Sequence, residues 1–136
     1  MIRMVLDTNV IVSALMNPHG VPGGGWARAL SGDVQLCVDG RMLNEYYDVL
    51  GRKDLGLDQG DVNDVLAFIN DFADVVVAPP SAVRTADEGD QCFIDVTLAA
   101  KADCLVTGNV RHFSGLSKAK VRVLTPRQFL DGFVHS

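Results

Sequence analysis

Five short apolar runs divide the chain, and apolar residues recur at helical spacing in the longer segments between them. The runs cover residues 2–6, 34–38, 75–78, 104–107 and 121–124. The helical pattern is clear over 43–50, 62–73 and 93–100. A short, continuous apolar run is typical of a strand buried on both faces. Strands that alternate with helices predict an α/β fold with a mainly parallel central sheet.

The end of the chain fits the same alternation. After the fifth run, Thr125 and Pro126 predict the cap and the first position of a last helix over 126–132. We expect one domain over 1–136, since the sequence contains no repeat and no linker. No apolar run approaches the roughly twenty residues that span a bilayer. Because Asp7 interrupts the only candidate signal peptide, we expect a cytoplasmic protein.

The formal net charge of −5 is opposite in sign to that of proteins that hold nucleic acid by general electrostatic attraction. Two explanations stay open at this point. The acids are gathered where divalent cations neutralise them, or the partner is a basic protein. The cysteines Cys37, Cys92 and Cys104 lack the spacing of a metal site, and we expect free, buried thiols.

Two loops have an unusual composition. The stretch NPHGVPGGG (17–25) is rich in glycine, but it follows a helix and no P-loop lysine comes after it. It therefore predicts a flexible connection between the first two helices and not a nucleotide site. The loop PPSAVRTADEGD (79–90) gathers three acids directly before a predicted helix.

Polar residues stand where two of the predicted strands end. Asp7 follows the first run, Thr107 closes the fourth run, and Asn109 comes two residues later. In a parallel α/β sheet, ligands bind outside the carboxyl ends of the strands. If these two strands are neighbours, the three side chains converge on one edge. The alternative for Asp7 is a helix N-cap.

Other acids are candidates for the same edge. Glu45 lies on a helix flank beside Tyr46, and its alternative is a solvated helix face. Asp90 opens a helix, where its alternative is a cap or a favourable charge at the positive end. Asp87 and Asp95 are open to the same alternatives. Carboxylates that gather at one edge repel one another unless a cation such as Mg²⁺ or Mn²⁺ is bound, and such a metal suits phosphodiester hydrolysis.

Four blocks of the sequence, in this order, resemble those of PIN-domain nucleases: MVLDTNVIVSAL, LNEYYDVLGR, DEGDQCFIDVTLAAKADCLVTGN and VRVLTPRQFL. The resemblance is greatest to the branch described as toxins of toxin–antitoxin pairs, related to VapC-type toxins. It implies a three-layer α/β/α sandwich, an acidic pocket for Mg²⁺ or Mn²⁺, and metal-dependent endonucleolytic cleavage of RNA. It also implies a homodimer and a cognate antitoxin.

The resemblance assigns roles to individual residues. Asp7 matches the first catalytic acid, Glu45 the acid on the third helix, and Asp90 the acid of the D-x-x-F/I block. All three are then expected to bind the metal. In the same family, residues matching Asn9 and Thr107 orient the first acid.

Ser13 matches a serine on the first helix, with a supporting role. Asn109 departs from the family pattern, which often has a fourth acid there, so one metal is expected and a second is less secure. Arg111 and His112 are candidates for contacting a substrate phosphate, or alternatively two exposed loop residues. Asp95 is a secondary candidate, because helical geometry points it away from Asp90.

A second hypothesis is a degenerate PIN fold that binds RNA or a protein without cleavage. Asn109 favours it, and the presence of three acids counts against it. A phosphatase of the haloacid-dehalogenase type is disfavoured, because its chemistry needs an acid two residues after the nucleophile and Asn9 stands there.

Overall fold

The core of the fold is a five-stranded parallel sheet. The computed structural model describes residues 1–17, 34–85 and 87–134. Its strands are β1 (Ile2–Leu6), β2 (Val34–Val38), β3 (Asp74–Val75), β4 (Cys104–Val106) and β5 (Arg122–Leu124). They lie in the order β3-β2-β1-β4-β5, and every neighbouring pair is parallel. The predicted α/β fold with a mainly parallel central sheet is confirmed.

Helices occupy the segments between the strands. They are α1 (Thr8–Met16), α2 (Gly40–Leu50), α3 (Gln59–Phe72), α4 (Gln91–Ala99) and α5 (Pro126–Phe129). Shorter 3₁₀ segments cover Lys53–Leu55, Glu88–Asp90 and Val110–Ala119, and a π-helical turn covers Leu130–Val134. Right-handed crossovers in this strand order place connections on both faces of the sheet, which gives the predicted three layers. Among the described residues, no helix is long and apolar enough to cross a membrane.

Two predicted elements end more than one residue away from the position that the structure gives. The third strand was expected over 75–78, but the ladder stops after the backbone of Val76 donates to the carbonyl of Val38 at 2.8 Å. Val77 beyond it is 94% exposed, so nothing packs against a longer strand. The last α-helix ends at Phe129, and the π-helical turn continues it. Apart from Asn17, the glycine-rich stretch 17–25 lies outside the described residues.

Local sequence signals account for the helix starts. Asp39 accepts a hydrogen bond from the backbone of Met42 at 2.9 Å, which caps α2. Thr125 and Gln128 form a reciprocal capping box at the start of α5, with distances of 3.1 and 2.9 Å. Each such cap satisfies backbone donors that a helix start leaves free.

The central strands β1 and β4 lie in the middle of the hydrophobic core. Met4 and Val5 of β1, like all three residues of β4, are fully buried. The three cysteines are free and buried, as predicted. This burial on both faces explains why residues 4–6 and 104–106 are apolar without interruption.

The strand order creates a crevice at the carboxyl ends of β1 and β4. The chain leaves β1 toward β2 on one side and leaves β4 toward β5 on the other. Open α/β sheets bind ligands at such a switch point. The two strands stay paired up to this edge, where the backbone of Asp7 donates to the carbonyl of Val106 at 2.9 Å.

Candidate active site

Asp7 lies at the switch point with its side chain almost fully buried. It occupies the N-cap position of α1, but its side chain makes no capping hydrogen bond. Its Oδ2 accepts a hydrogen bond from Thr107 Oγ1 at 2.7 Å, and the Thr107 oxygen accepts one from the backbone of Asn109 at 2.9 Å. Asp7 thus stands at the N-cap position that the alternative interpretation expected, but its Oδ2 is engaged by Thr107, directly after β4, and does not cap the helix.

Two other acids act electrostatically on Asp7. Burial raises the pKa of Asp7, the hydrogen bond from Thr107 opposes this increase, and the negative charges of Asp90 and Glu45 raise the pKa further. As a result, the pKa of Asp7 lies above the ordinary aspartate value of 3.8. Asp90 and Glu45 are therefore near enough in the fold for their charges to act on Asp7, although the three acids lie far apart in the sequence.

Glu45 reaches this edge because α2 is tied to the end of β1. The next residue, Tyr46, is buried, and its hydroxyl donates a hydrogen bond to the carbonyl of Leu6. Glu45 itself is half-buried, and its negative charge acts on Asp7. Sequence reasoning treated Tyr46 only as an apolar position and missed this bond.

Asp90 stands at the N-cap position of α4 and, like Asp7, makes no capping bond with its side chain. Its Oδ2 lies 2.9 Å from Nδ1 of His112, and its side chain is 17% exposed. Ligand atoms of Asp87, Asp90 and His112 all lie within 4.8 Å of one another. No sequence pattern predicts this contact with Asp90, although His112 was a candidate for contacting a substrate phosphate.

Asn9 and Ser13 have less direct positions. Asn9 Oδ1 accepts a hydrogen bond from the backbone of Gly108 at 3.2 Å, which ties the start of α1 to the loop after β4. Asn9 thus contacts the segment directly after Thr107, and its expected role in orienting Asp7 stays a prediction. Ser13 is exposed on α1.

Asp95 belongs to a different cluster. Its carboxylate is 1% exposed and accepts hydrogen bonds from Gln91 at 2.9 Å, the backbone of Ser81 at 3.0 Å and Arg41 at 3.2 Å. Burial alone would raise its pKa, but these donors outweigh burial and lower it. A carboxylate with its oxygens engaged in this way is structural.

A polar cavity opens beside Asp90 and His112. It has a volume of about 300 Å³, and its lining includes Arg84, Arg111 and His112. Asn109 is exposed at the neighbouring turn. Both Arg111 and His112 are exposed, as the alternative interpretation expected, and both also line the cavity.

The donor set fits a hard divalent cation. Mg²⁺ and Mn²⁺ prefer carboxylate oxygens, and three carboxylates that repel one another gain from a bound cation. The buried hydroxyl of Thr8, next to Asp7, has no hydrogen-bond partner among the described residues. A buried hydroxyl without a protein partner is a candidate for binding a water or an ion.

Comparisons with known proteins agree with this geometry. A family model described as "PIN domain" matches residues 3–111, a segment that contains Asp7, Glu45 and Asp90. An uncharacterized protein of Methanocaldococcus jannaschii is 28% identical over 144 aligned positions, covering 97% of this chain and 92% of that protein.

Two solved structures have a similar fold. One is VapBC-1 from nontypeable Haemophilus influenzae, with a TM-score of 0.60 and 15% identity over 93% of this chain and 99% of that chain. The other is VapBC2 from Rickettsia felis bound to a DNA fragment from its promoter, with a TM-score of 0.58 and 16% identity over 91% and 98%. The family-model match covers well over half of the sequence, and the chain therefore belongs to the PIN-domain family.

Proposed function

We propose that this protein is a metal-dependent endoribonuclease and the toxin of a type II toxin–antitoxin pair. The observation that carries the proposal is the buried Asp7 carboxylate at the switch point, where Thr107 holds it and the charges of Asp90 and Glu45 raise its pKa. Membership of the PIN-domain family supports nuclease activity. Perturbed acids in a crevice are typical of catalytic sites.

The residues of this chain would have distinct roles. Asp7, Glu45 and Asp90 would bind Mg²⁺ or Mn²⁺, which supplies Lewis acidity toward a phosphoryl oxygen. Thr107 would hold the Asp7 carboxylate in a fixed orientation, as hydrogen-bonding partners of metal ligands do. A carboxylate would accept the proton of the attacking water, and the products would carry a 5′-phosphate and a 3′-hydroxyl. Arg111 would meet the substrate phosphate.

The proposed partner is a cognate antitoxin. Both solved neighbours are VapBC proteins, which supports this assignment. The net charge of −5 suits a partner segment with basic residues. We also propose a cytoplasmic homodimer. A small neighbouring reading frame that encodes a DNA-binding protein would support the toxin role, and its absence would favour a housekeeping nuclease.

A second candidate is a PIN-fold protein that binds RNA or a protein without cleavage. Asn109 favours it, because an amide stands where the family often has an acid. Against it, an abandoned site has no physical reason to keep three like charges close together, since they destabilise the fold.

Cleavage of end-labelled RNA by the purified protein tests the proposal. We expect cleavage with Mn²⁺ or Mg²⁺, none with EDTA, and a loss of at least about 100-fold in rate for Asp7→Asn. Asp64→Asn is the matched control, because Asp64 is an exposed acid of α3. Equal cleavage by Asp7→Asn would indicate a contaminating nuclease. Metal binding without any cleavage would favour the second candidate.

A further inference from the structure

Two arginines without a carboxylate partner among the described residues lie at the cavity beside Asp90. Arg84 and Arg111 line it from two different loops, and both are exposed. Arg3, Arg41 and Arg52 form ion pairs with carboxylates, whereas no ion pair with a described carboxylate is found for Arg84 or Arg111. In an acidic chain, two unpaired guanidinium groups at one cavity form a local site for an anion.

The cavity walls are held in place by hydrogen bonds and close packing. Thr85 Oγ1 donates to the carbonyl of His112 at 3.0 Å, which joins the Arg84 loop to the Arg111 loop. The backbone of Thr85 also donates to Gln91 of α4 at 3.1 Å. At Gly115, a Cβ would lie 3.2 Å from Cγ1 of Val83, so the two segments are in close contact there. The cavity is therefore preformed, as small-ligand sites usually are.

The position of the cavity relates it to the proposed metal site. Asp87 and His112 line the cavity and also form the cluster with Asp90. A group bound between Arg84 and Arg111 would thus lie next to the proposed reaction centre. Guanidinium groups bind phosphate oxygens with paired hydrogen bonds, which makes arginine better suited than lysine to this role.

We propose that this cavity binds a backbone phosphate of the RNA, neighbouring the one that is cleaved, through Arg84 and Arg111. This inference rests on the proposed function and adds Arg84 as a substrate-binding residue. Asp87 opposes the phosphate by its negative charge, and a cation on the adjacent carboxylates offsets that charge. Substrate binding in the cavity and metal binding at the acids therefore favour each other.

Binding of a fluorescein-labelled decauridylate, followed by anisotropy in the Asp7→Asn background, tests the inference without cleavage. We expect the double substitution R84Q/R111Q to weaken binding roughly tenfold. It should also reduce the slope of log affinity against log salt by about 0.7, the value for one phosphate of a single strand. Arg127→Gln, an exposed arginine outside the cavity, is the matched control and should bind like the parent. Asp87→Asn should bind more tightly than the parent in EDTA.

A series of oligonucleotides with one neutral methylphosphonate linkage each separates a direct phosphate contact from an indirect effect. At one position, the neutral linkage should weaken binding to the parent. It should leave binding to R84Q/R111Q unchanged, because that variant already lacks the contact between the arginines and the phosphate. Absence of such coupling at every position would overturn the inference, and so would parent-like affinity of R84Q/R111Q. Circular dichroism and the Tm verify that each variant is folded.

The two proposals fail in different ways. If the wild-type protein cleaves RNA with metal but the coupling is absent, the cavity inference is wrong and the nuclease assignment stands. If the wild-type protein cleaves no RNA yet the arginine-dependent coupling is found, the cavity binds RNA and the nuclease assignment fails.

Discussion

Two buried aspartates differ in how the fold treats their charge. Asp95 accepts hydrogen bonds from Gln91, Ser81 and Arg41, and its pKa is lowered. Asp7 has one side-chain donor, Thr107, and its pKa is raised because burial and two neighbouring carboxylates dominate. The fold therefore stabilises the charged form of Asp95 and disfavours the charged form of Asp7. Such an unfavourable environment for a charge is typical of functional sites.

Asp7→Asn should stabilise the metal-free protein at neutral pH. The folded-state pKa of Asp7 is raised, so the contribution of this one group to stability is greatest below its ordinary pKa of 3.8 and is lost as pH rises through the raised value. The amide removes this loss and can still accept the bond from Thr107. We expect a gain of about 0.5–2 kcal/mol at pH 7 in EDTA, vanishing near pH 4.

Urea unfolding at several pH values measures this difference. A gain that is constant with pH, or a destabilised Asp7→Asn protein at pH 7, would contradict the assigned electrostatic cost. Asp64→Asn again serves as the control, since its carboxylate is exposed on α3.

At the level of elements, Asp95 connects three parts of the chain. Through Arg41 it joins α4 to the first turn of α2, and through Ser81 it holds the segment that leads to the cavity. Arg41 also pairs with Asp39, the cap of α2, at 2.8 Å. These bonds fix the mutual positions of the elements that carry Glu45 and Asp90. Asp95 thus supports the site from outside it.

Asp95→Ala should destabilise the fold by about 2–3 kcal/mol, because it leaves the buried donors of Gln91 and Ser81 without an acceptor. Breaking a fully buried ion pair can cost more stability than this. The expected loss is smaller here because the Arg41 side chain is 48% exposed. Chemical denaturation is the measurement. Asp48→Ala is the control, because the ion pair of Asp48 with Arg52, four residues later, is exposed. Loss of this pair should reduce stability by at most about 0.5 kcal/mol. Equal effects of the two variants would contradict this role of Asp95.

At the scale of the whole molecule, metal binding should stabilise the fold. A ligand that binds only the folded state adds free energy by mass action, about 2.7 kcal/mol at 100 times its Kd. We expect the Tm of the wild type to rise with Mn²⁺ concentration, and that of Asp7→Asn to change far less. Thermal unfolding of both proteins, with Mn²⁺ and with Ca²⁺, measures these changes in Tm. An equal rise in both proteins would place the metal elsewhere than at Asp7.

The order of elements and the ends of the strands could be predicted from the sequence. The apolar run IRMVL predicts a buried strand, and Thr125-Pro126 predicts a helix start, because burial and capping depend on residues close in the chain. The length of β3 could not be predicted in this way. Val75, Val76 and Val77 all suit a strand, and only the absence of packing on Val77 ends it.

The sequence by itself determined that the fold is α/β and that Asp7 follows the first strand, since both depend on local pattern. Only the tertiary structure decided what Asp7 contacts: Thr107 is 100 residues away, and strand order alone makes them neighbours. In the same way, it placed His112 on Asp90 and Asp95 in a separate cluster. Hydrogen bonds and charge interactions act over a few ångströms in space, so spacing along the chain does not reveal them.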